Sequence, residues 1–158
     1  MTDTLAPSVT SPSDSGHRGF PTERRVVTSI PGPKSLAIHE RRNAVVASGA
    51  ASGFPVYVDH AHGAIVIDVD GNQFIDLGSG IGVTTIGHTD DAVVAAARHQ
   101  LGEFTHGLFT VTPYEGYVRV AELLAAHTPG DFAKKSLLVN AGAEAVENGV
   151  KIARKYTG

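Results

Sequence analysis

The chain contains no cysteine. Disulfides, thiolate nucleophiles and cysteine-ligated metal sites are therefore excluded. It has no basic block, and its formal net charge is −3. That balance speaks against a general role at nucleic acid or an anionic membrane surface. No apolar run approaches the roughly 18 residues of a membrane span. The first residues lack the basic-then-apolar order of a signal peptide. No internal repeat is visible. What remains is globular: 158 residues, 42% hydrophobic and 18% charged, enough for one modest domain with a core. These absences predict a soluble, cytoplasmic protein without nucleic-acid or membrane partners.

Residues 1–27 are rich in Ser, Thr, Pro and Gly and poor in large apolar side chains, which predicts a disordered tail. Asp3, Asp14 and Glu23 count against a transit peptide. Over 29–49 a turn with Pro31 and Pro33 leads into a helix, with Ser35 as its N-cap. Leu36, Ile38, Val45 and Val46 give that helix a partial apolar face.

Residues 56–80 read as strands. Ile65, Ile67 and Val69 alternate with Val66, Asp68 and Asp70, and Gln73–Leu77 follows. Asp70-Gly71 between them predicts a two-residue hairpin turn of type I′, with both residues at positive φ. Asp68, Asp70 and Asp76 lack the spacing and closing Glu of a calcium loop, so turn and edge-strand carboxylates are the better account. GSGIGVTTIGH (78–88) holds four glycines. Such a loop lets backbone approach either a ligand or another element. It has no Lys for a P-loop, and its glycines miss the dinucleotide spacing.

Two helices follow. Over 89–104, Thr89 or Asp90 is the cap, and Val93, Ala97 and Leu101 share a face. Over 112–132, Pro113 suits the first turn, and Tyr117, Val120, Leu124 and Ala121 predict a buried stripe. The last stretch, LLVNAGAEAVENGVKIARKYTG (137–158), is an apolar strand, a small-residue turn and a helix. Free N–H groups and the positive dipole end meet at such a turn and suit an anion, phosphate above all. Gly142 and Ala143 permit close approach. An ordinary strand-to-helix junction is the competing reading, and Glu144 also fits the simple preference of acids for a helix start.

VNAGAEAVENGVKIARKYTG resembles the phosphate-binding strand-turn-helix of class III aminotransferases, the pyridoxal-phosphate enzymes of subgroup II. IPGPKS, VDGNQFIDLGSGIGVTTIGH, FTHGLFTVTPYEGYVRVAELL and TPGDFAKK extend the resemblance over 29–158, toward members acting on 4-aminobutyrate. The resemblance implies an α/β fold, the N-terminal part of fold type I: helix and β-hairpin meander of the small domain, then the start of the large α/β domain. It divides the chain into a tail (1–27), a small-domain segment (28–85) and the start of the cofactor-binding domain (86–158).

It also implies pyridoxal 5'-phosphate as cofactor, its phosphate on the turn at Gly142 and Ala143. Ile81 becomes an apolar wall beside the substrate, with core packing as its plain alternative. His106 is implied to be structural or at a subunit contact rather than a proton carrier. The implied reaction is ping-pong transamination from 4-aminobutyrate to 2-oxoglutarate, giving succinate semialdehyde and glutamate, in a homodimer or higher homo-oligomer. Sister donors (ornithine, acetylornithine and other ω-amino acids) and a non-catalytic phosphate-binding or dimerisation remnant are the alternatives.

Lys134, Lys135, Lys151 and Lys155 match no cofactor-anchoring role of the family, so no catalytic residue is assigned. The expectation is an N-terminal fragment, inactive alone. Ala141 stands where relatives often carry a hydroxyl residue, and Gly149 where they often have Ala.

Overall fold

The computed structural model describes residues 19–158. The predicted tail over 1–27 lies mostly outside them. The elements are α1 (Pro33–Val45), β1 (Val58–His62), β2 (Ile65–Asp68), β3 (Gln73–Ile75), a one-turn α2 (Ser79–Gly82), α3 (Asp91–Glu103), α4 (Glu115–His127) and α5 (Gly142–Thr157). They fall into two compact units, one running to Gly102 and the other spanning Glu103–Gly158.

The first unit is organised by an antiparallel meander of order β1-β2-β3. β2 is its centre, and Ile65 and Ile67 are the buried hydrophobic residues among those described. Both point to one face because strand side chains alternate. The turn between β2 and β3 differs from the two-residue prediction. Gly71 N–H donates to the Asp68 carbonyl at 3.0 Å, and Asp68 N–H donates to the Asn72 carbonyl at 3.0 Å. Three residues, Val69 to Gly71, therefore make the loop, and of Asp70 and Gly71 only Gly71 takes positive φ (88°). A tight turn closed by a left-handed glycine is the usual three-residue solution.

Asn72 ties this turn to the incoming chain. It is fully buried. Its Oδ1 accepts the N–H groups of Val27 (2.8 Å) and Thr28 (3.0 Å), and its Nδ2 donates to Thr28 Oγ1 and to Asp68 Oδ2. Asp68, 2% exposed, also accepts from Asp70 N–H and Asn72 N–H. Every polar atom of the pair has a partner, as burial demands.

The start of α1 is capped from 35 residues away. Gly32, not Ser35, is the N-cap, with Pro33 in the first turn. Asp70 accepts the N–H groups of Lys34 (2.8 Å) and Ser35 (2.9 Å), which supplies what a local cap would. A Cβ on Gly32 would lie 2.3 Å from Asp70 Cγ, so glycine is required for the approach. Ser35 is buried beneath this contact. α3 takes the expected cap: Asp90 Oδ1 accepts from Ala92 and Val93 N–H.

In the second unit the apolar stripe of α4 is only partly covered. Val120 and Leu124 stay 45% and 44% exposed. Residues 137–139 form no ladder, because no strand of this unit lies beside them. Instead the Tyr117 hydroxyl accepts Leu138 N–H at 2.9 Å. Tyr117 also stacks on Phe109, with ring centroids 3.9 Å apart.

Candidate cofactor and substrate elements

Two elements carry the predicted site residues, one in each unit. The first is the start of α5. Its N-cap is Ala141, and no side chain caps it. The first intrahelical acceptor is the Ala141 carbonyl, bonded by Ala145 N–H at 3.1 Å. The N–H groups of Gly142, Ala143 and Glu144 precede that bond and so lie outside the helical ladder. A Cβ at Gly142 would meet nothing within 4 Å, and both Gly142 and Ala143 are exposed. Glu144 turns its carboxylate back, and Oε2 accepts Asn140 N–H at 2.7 Å. The acid is thus spent on the chain entering the helix. The turn offers open donors, small side chains and a positive dipole end, which fit a phosphate.

The second element is the Gly-rich loop. Ser79, Gly80, Ile81 and Gly82 have φ of 46°, 58°, 61° and 80°. Four consecutive residues are left-handed, and one is Ile81, for which this region is a true outlier. Ile81 is 98% exposed, so its plain alternative, packing in a core, is not what holds it in this unit.

Asp76 is the group that holds the loop. Its Oδ1 accepts Gly78 N–H (2.9 Å) and Ser79 N–H (2.8 Å), and its Oδ2 meets His88 Nε2 at 2.7 Å. The His88 ring N–H, then the Ser79 and Gly78 N–H groups, hold the Asp76 carboxyl below the usual carboxylate range, although partial burial opposes them. A groove of about 420 Å³ beside the loop is lined by Phe54, Val56, Phe74, Asp76, Gly80 and His88 among others.

Other groups fall away. Asp68, Asp70 and Asp76 are each engaged by backbone N–H groups, and no cluster that could hold a metal exists among the described residues. Lys151 pairs with Glu147, and Lys134 lies over the Phe132 ring. His106 is exposed. Among the described residues no helix is long and apolar enough to cross a membrane. The Asp76–His88 pair was missed from the sequence, because a carboxylate and an imidazole twelve residues apart carry no local signature.

The sequence profile of the aminotransferase class-III family matches residues 46–158. The chain is 62% identical over 135 residues to a 4-aminobutyrate aminotransferase of Mycobacterium tuberculosis, covering 85% of this chain and 30% of that protein. It is 47% identical over 119 residues to a 5-aminovalerate aminotransferase of Pseudomonas aeruginosa, covering 75% of this chain and 28% of that one. Among solved structures, an omega-transaminase from Sphaerobacter thermophilus aligns with a TM-score of 0.68 at 29% identity, over 81% of this chain and 30% of that chain. The fold is therefore the α/β aminotransferase architecture that the resemblance implied. The chain belongs to the class-III aminotransferases. It spans about 30% of the length of the curated relatives it matches.

Proposed function

We propose that this chain provides the phosphate-binding turn and one substrate-facing loop of a pyridoxal-phosphate-dependent aminotransferase. Its amino donor is 4-aminobutyrate and its acceptor 2-oxoglutarate. The observation that carries the reading is the uncapped, small-residue start of α5 inside the segment the family profile matches. Gly142 and Ala143 would hold the cofactor phosphate through their N–H groups. The cofactor, when bound, supplies the electron sink for amino-group transfer. Ile81 gives an apolar wall for the donor's methylene chain. Residues 28–85 belong to the small domain and 86–158 to the cofactor-binding domain, and the working assembly is a homodimer or larger.

No lysine of these 158 residues is assigned as the cofactor's covalent anchor. Lys134 and Lys151 are engaged elsewhere, and Lys135 and Lys155 lie away from the phosphate turn in sequence.

The test is a titration of the isotopically labelled chain with pyridoxal phosphate and, separately, with inorganic phosphate. The amide signals of Gly142, Ala143 and Glu144 are expected to move, and Gly142→Glu to abolish the movement. Signals that stay fixed would remove the phosphate assignment. Borohydride treatment of the loaded chain should leave no stoichiometric adduct on a lysine. A single modified lysine would overturn the anchor reading.

A second reading lengthens the donor, as the similarity to a 5-aminovalerate aminotransferase suggests. One methylene in an apolar pocket is worth only about 1–3 kcal/mol. Ile81 alone is thus a weak discriminator between the two donors.

A further inference from the structure

We infer that Asp76 and His88 form a positioning pair: together they clasp both ends of the Gly-rich loop and fix Ile81 in its outward, left-handed pose. The two ends are already moored to the sheet. Asp76 N–H donates to the Ala64 carbonyl at 2.8 Å. His88 and Gly63 exchange two backbone bonds, at 2.9 and 3.0 Å. Gly87 sits so close to Gly63 that a Cβ would lie 3.0 Å from its Cα.

Between the moorings, the backbone bonds of residues 79–86 stay within the loop, and Ile81, Val83 and Ile86 are 98%, 76% and 65% exposed. Apolar packing therefore does not define this segment. Left-handed isoleucine persists only where its surroundings over-determine it. Among the described residues, the side chain that grips the start of the left-handed turn and also reaches the loop's far end is Asp76, through Gly78 N–H, Ser79 N–H and the His88 ring.

The functional weight of this clasp rests on the reading of Ile81 as substrate-facing. The clasp itself does not, and the two are tested apart. The experiment uses the labelled 158-residue chain. The readout is the strong intraresidue amide-to-α-proton contact that marks a left-handed residue, measured at Ile81. The β2 amides of Ile65 and Ile67 report whether the sheet is intact.

Asp76→Ala is expected to erase the left-handed signature at Ile81 while the β2 amides keep their positions. Asp76→Asn retains an acceptor for Gly78 and Ser79 and an amide that can donate to the His88 ring, so it is expected to restore the signature. His88→Ala is expected to weaken it. Persistence of the signature in Asp76→Ala would overturn the proposal. So would collapse of the sheet in both Asp76 variants, since Asp76 would then be holding the meander and not the loop. The substrate reading stands or falls separately. If Ile81→Ser leaves donor selectivity unchanged in the active assembly while the clasp results hold, only the substrate reading is lost.

Discussion

In the turn, each polar group of Asn72 and Asp68 has a partner, while along α5 Val146, Val150 and Ile152 stay 69%, 52% and 61% exposed. The two units thus meet different conditions. Among its described residues the first has two buried hydrophobic side chains, Ile65 and Ile67, and is shaped by a closed polar network. The second has amphipathic helices whose apolar faces are largely uncovered. Side-chain hydrogen bonds to backbone can specify a unit's geometry when apolar burial is scarce. A helix with a good apolar stripe can still lack anything to bury it against.

The contrast breaks most sharply at Asn72. Asn72→Ala strands the Val27 and Thr28 N–H donors and takes one partner each from the Thr28 hydroxyl and the buried Asp68 carboxylate. It should destabilise the first unit by about 3 kcal/mol or more, read as a drop in the urea midpoint of the β2 amides. The amides of α5 should not follow, and a loss shared equally by both units would end the comparison.

Gly32→Ala comes next. Its methyl would collide with Asp70, and overpacking of this kind costs about 1–3 kcal/mol. Thermal unfolding followed at α1 should show the loss. An unchanged midpoint would mean Asp70 is free to move.

Gly149→Ala runs the other way. A Cβ there meets nothing within 4 Å, and the helix interior should gain about 0.5–1 kcal/mol. Circular dichroism should report more helix, and no gain would mean α5 is already fully formed.

The smallest effect appears only in acid. Partial burial raises the Asp70 carboxyl, but the Lys34 and Ser35 N–H groups, aided by the Ser35 hydroxyl and the Lys34 charge, bring it below its usual range. Asp76 is lowered as well. A carboxyl whose folded pKa lies below its unfolded value stabilises the fold above the unfolded value, near 4. That contribution fades as pH falls toward the lowered folded value. Stability measured from pH 7 downward should therefore hold to about pH 4 and then decline. Asp70→Asn should flatten part of that decline, and an identical profile would remove Asp70 from the account.

Much of the helix and turn content was legible in the sequence because its signals are local. Asp90 marks the start of α3 as read, whereas Pro33, read as part of the preceding turn, opens α1, and Pro113, read into the first turn of its helix, stands one residue ahead of the Tyr114 N-cap of α4. Asp70-Gly71 marks the hairpin, though not its length. The candidate phosphate turn was legible for the same reason, since Asn140 to Glu144 are contiguous. The missed features all join residues far apart. Ser35 looked like a cap because nothing local says that Asp70 will arrive from the hairpin. The Ile81 conformation depends on Asp76 and His88 together. The strand expected over 137–139 failed for a related reason: apolar character predicts extension, but a ladder needs a second chain segment.

That unpaired segment has one group already taken. The Tyr117 hydroxyl accepts Leu138 N–H, a donor that a strand arriving from elsewhere would otherwise use. Tyr117 thereby closes part of the segment to pairing. Tyr117→Phe keeps the ring against Phe109 but frees that donor. Sedimentation velocity should then show more self-association than the parent chain, and unchanged sedimentation would mean the hydroxyl guards nothing.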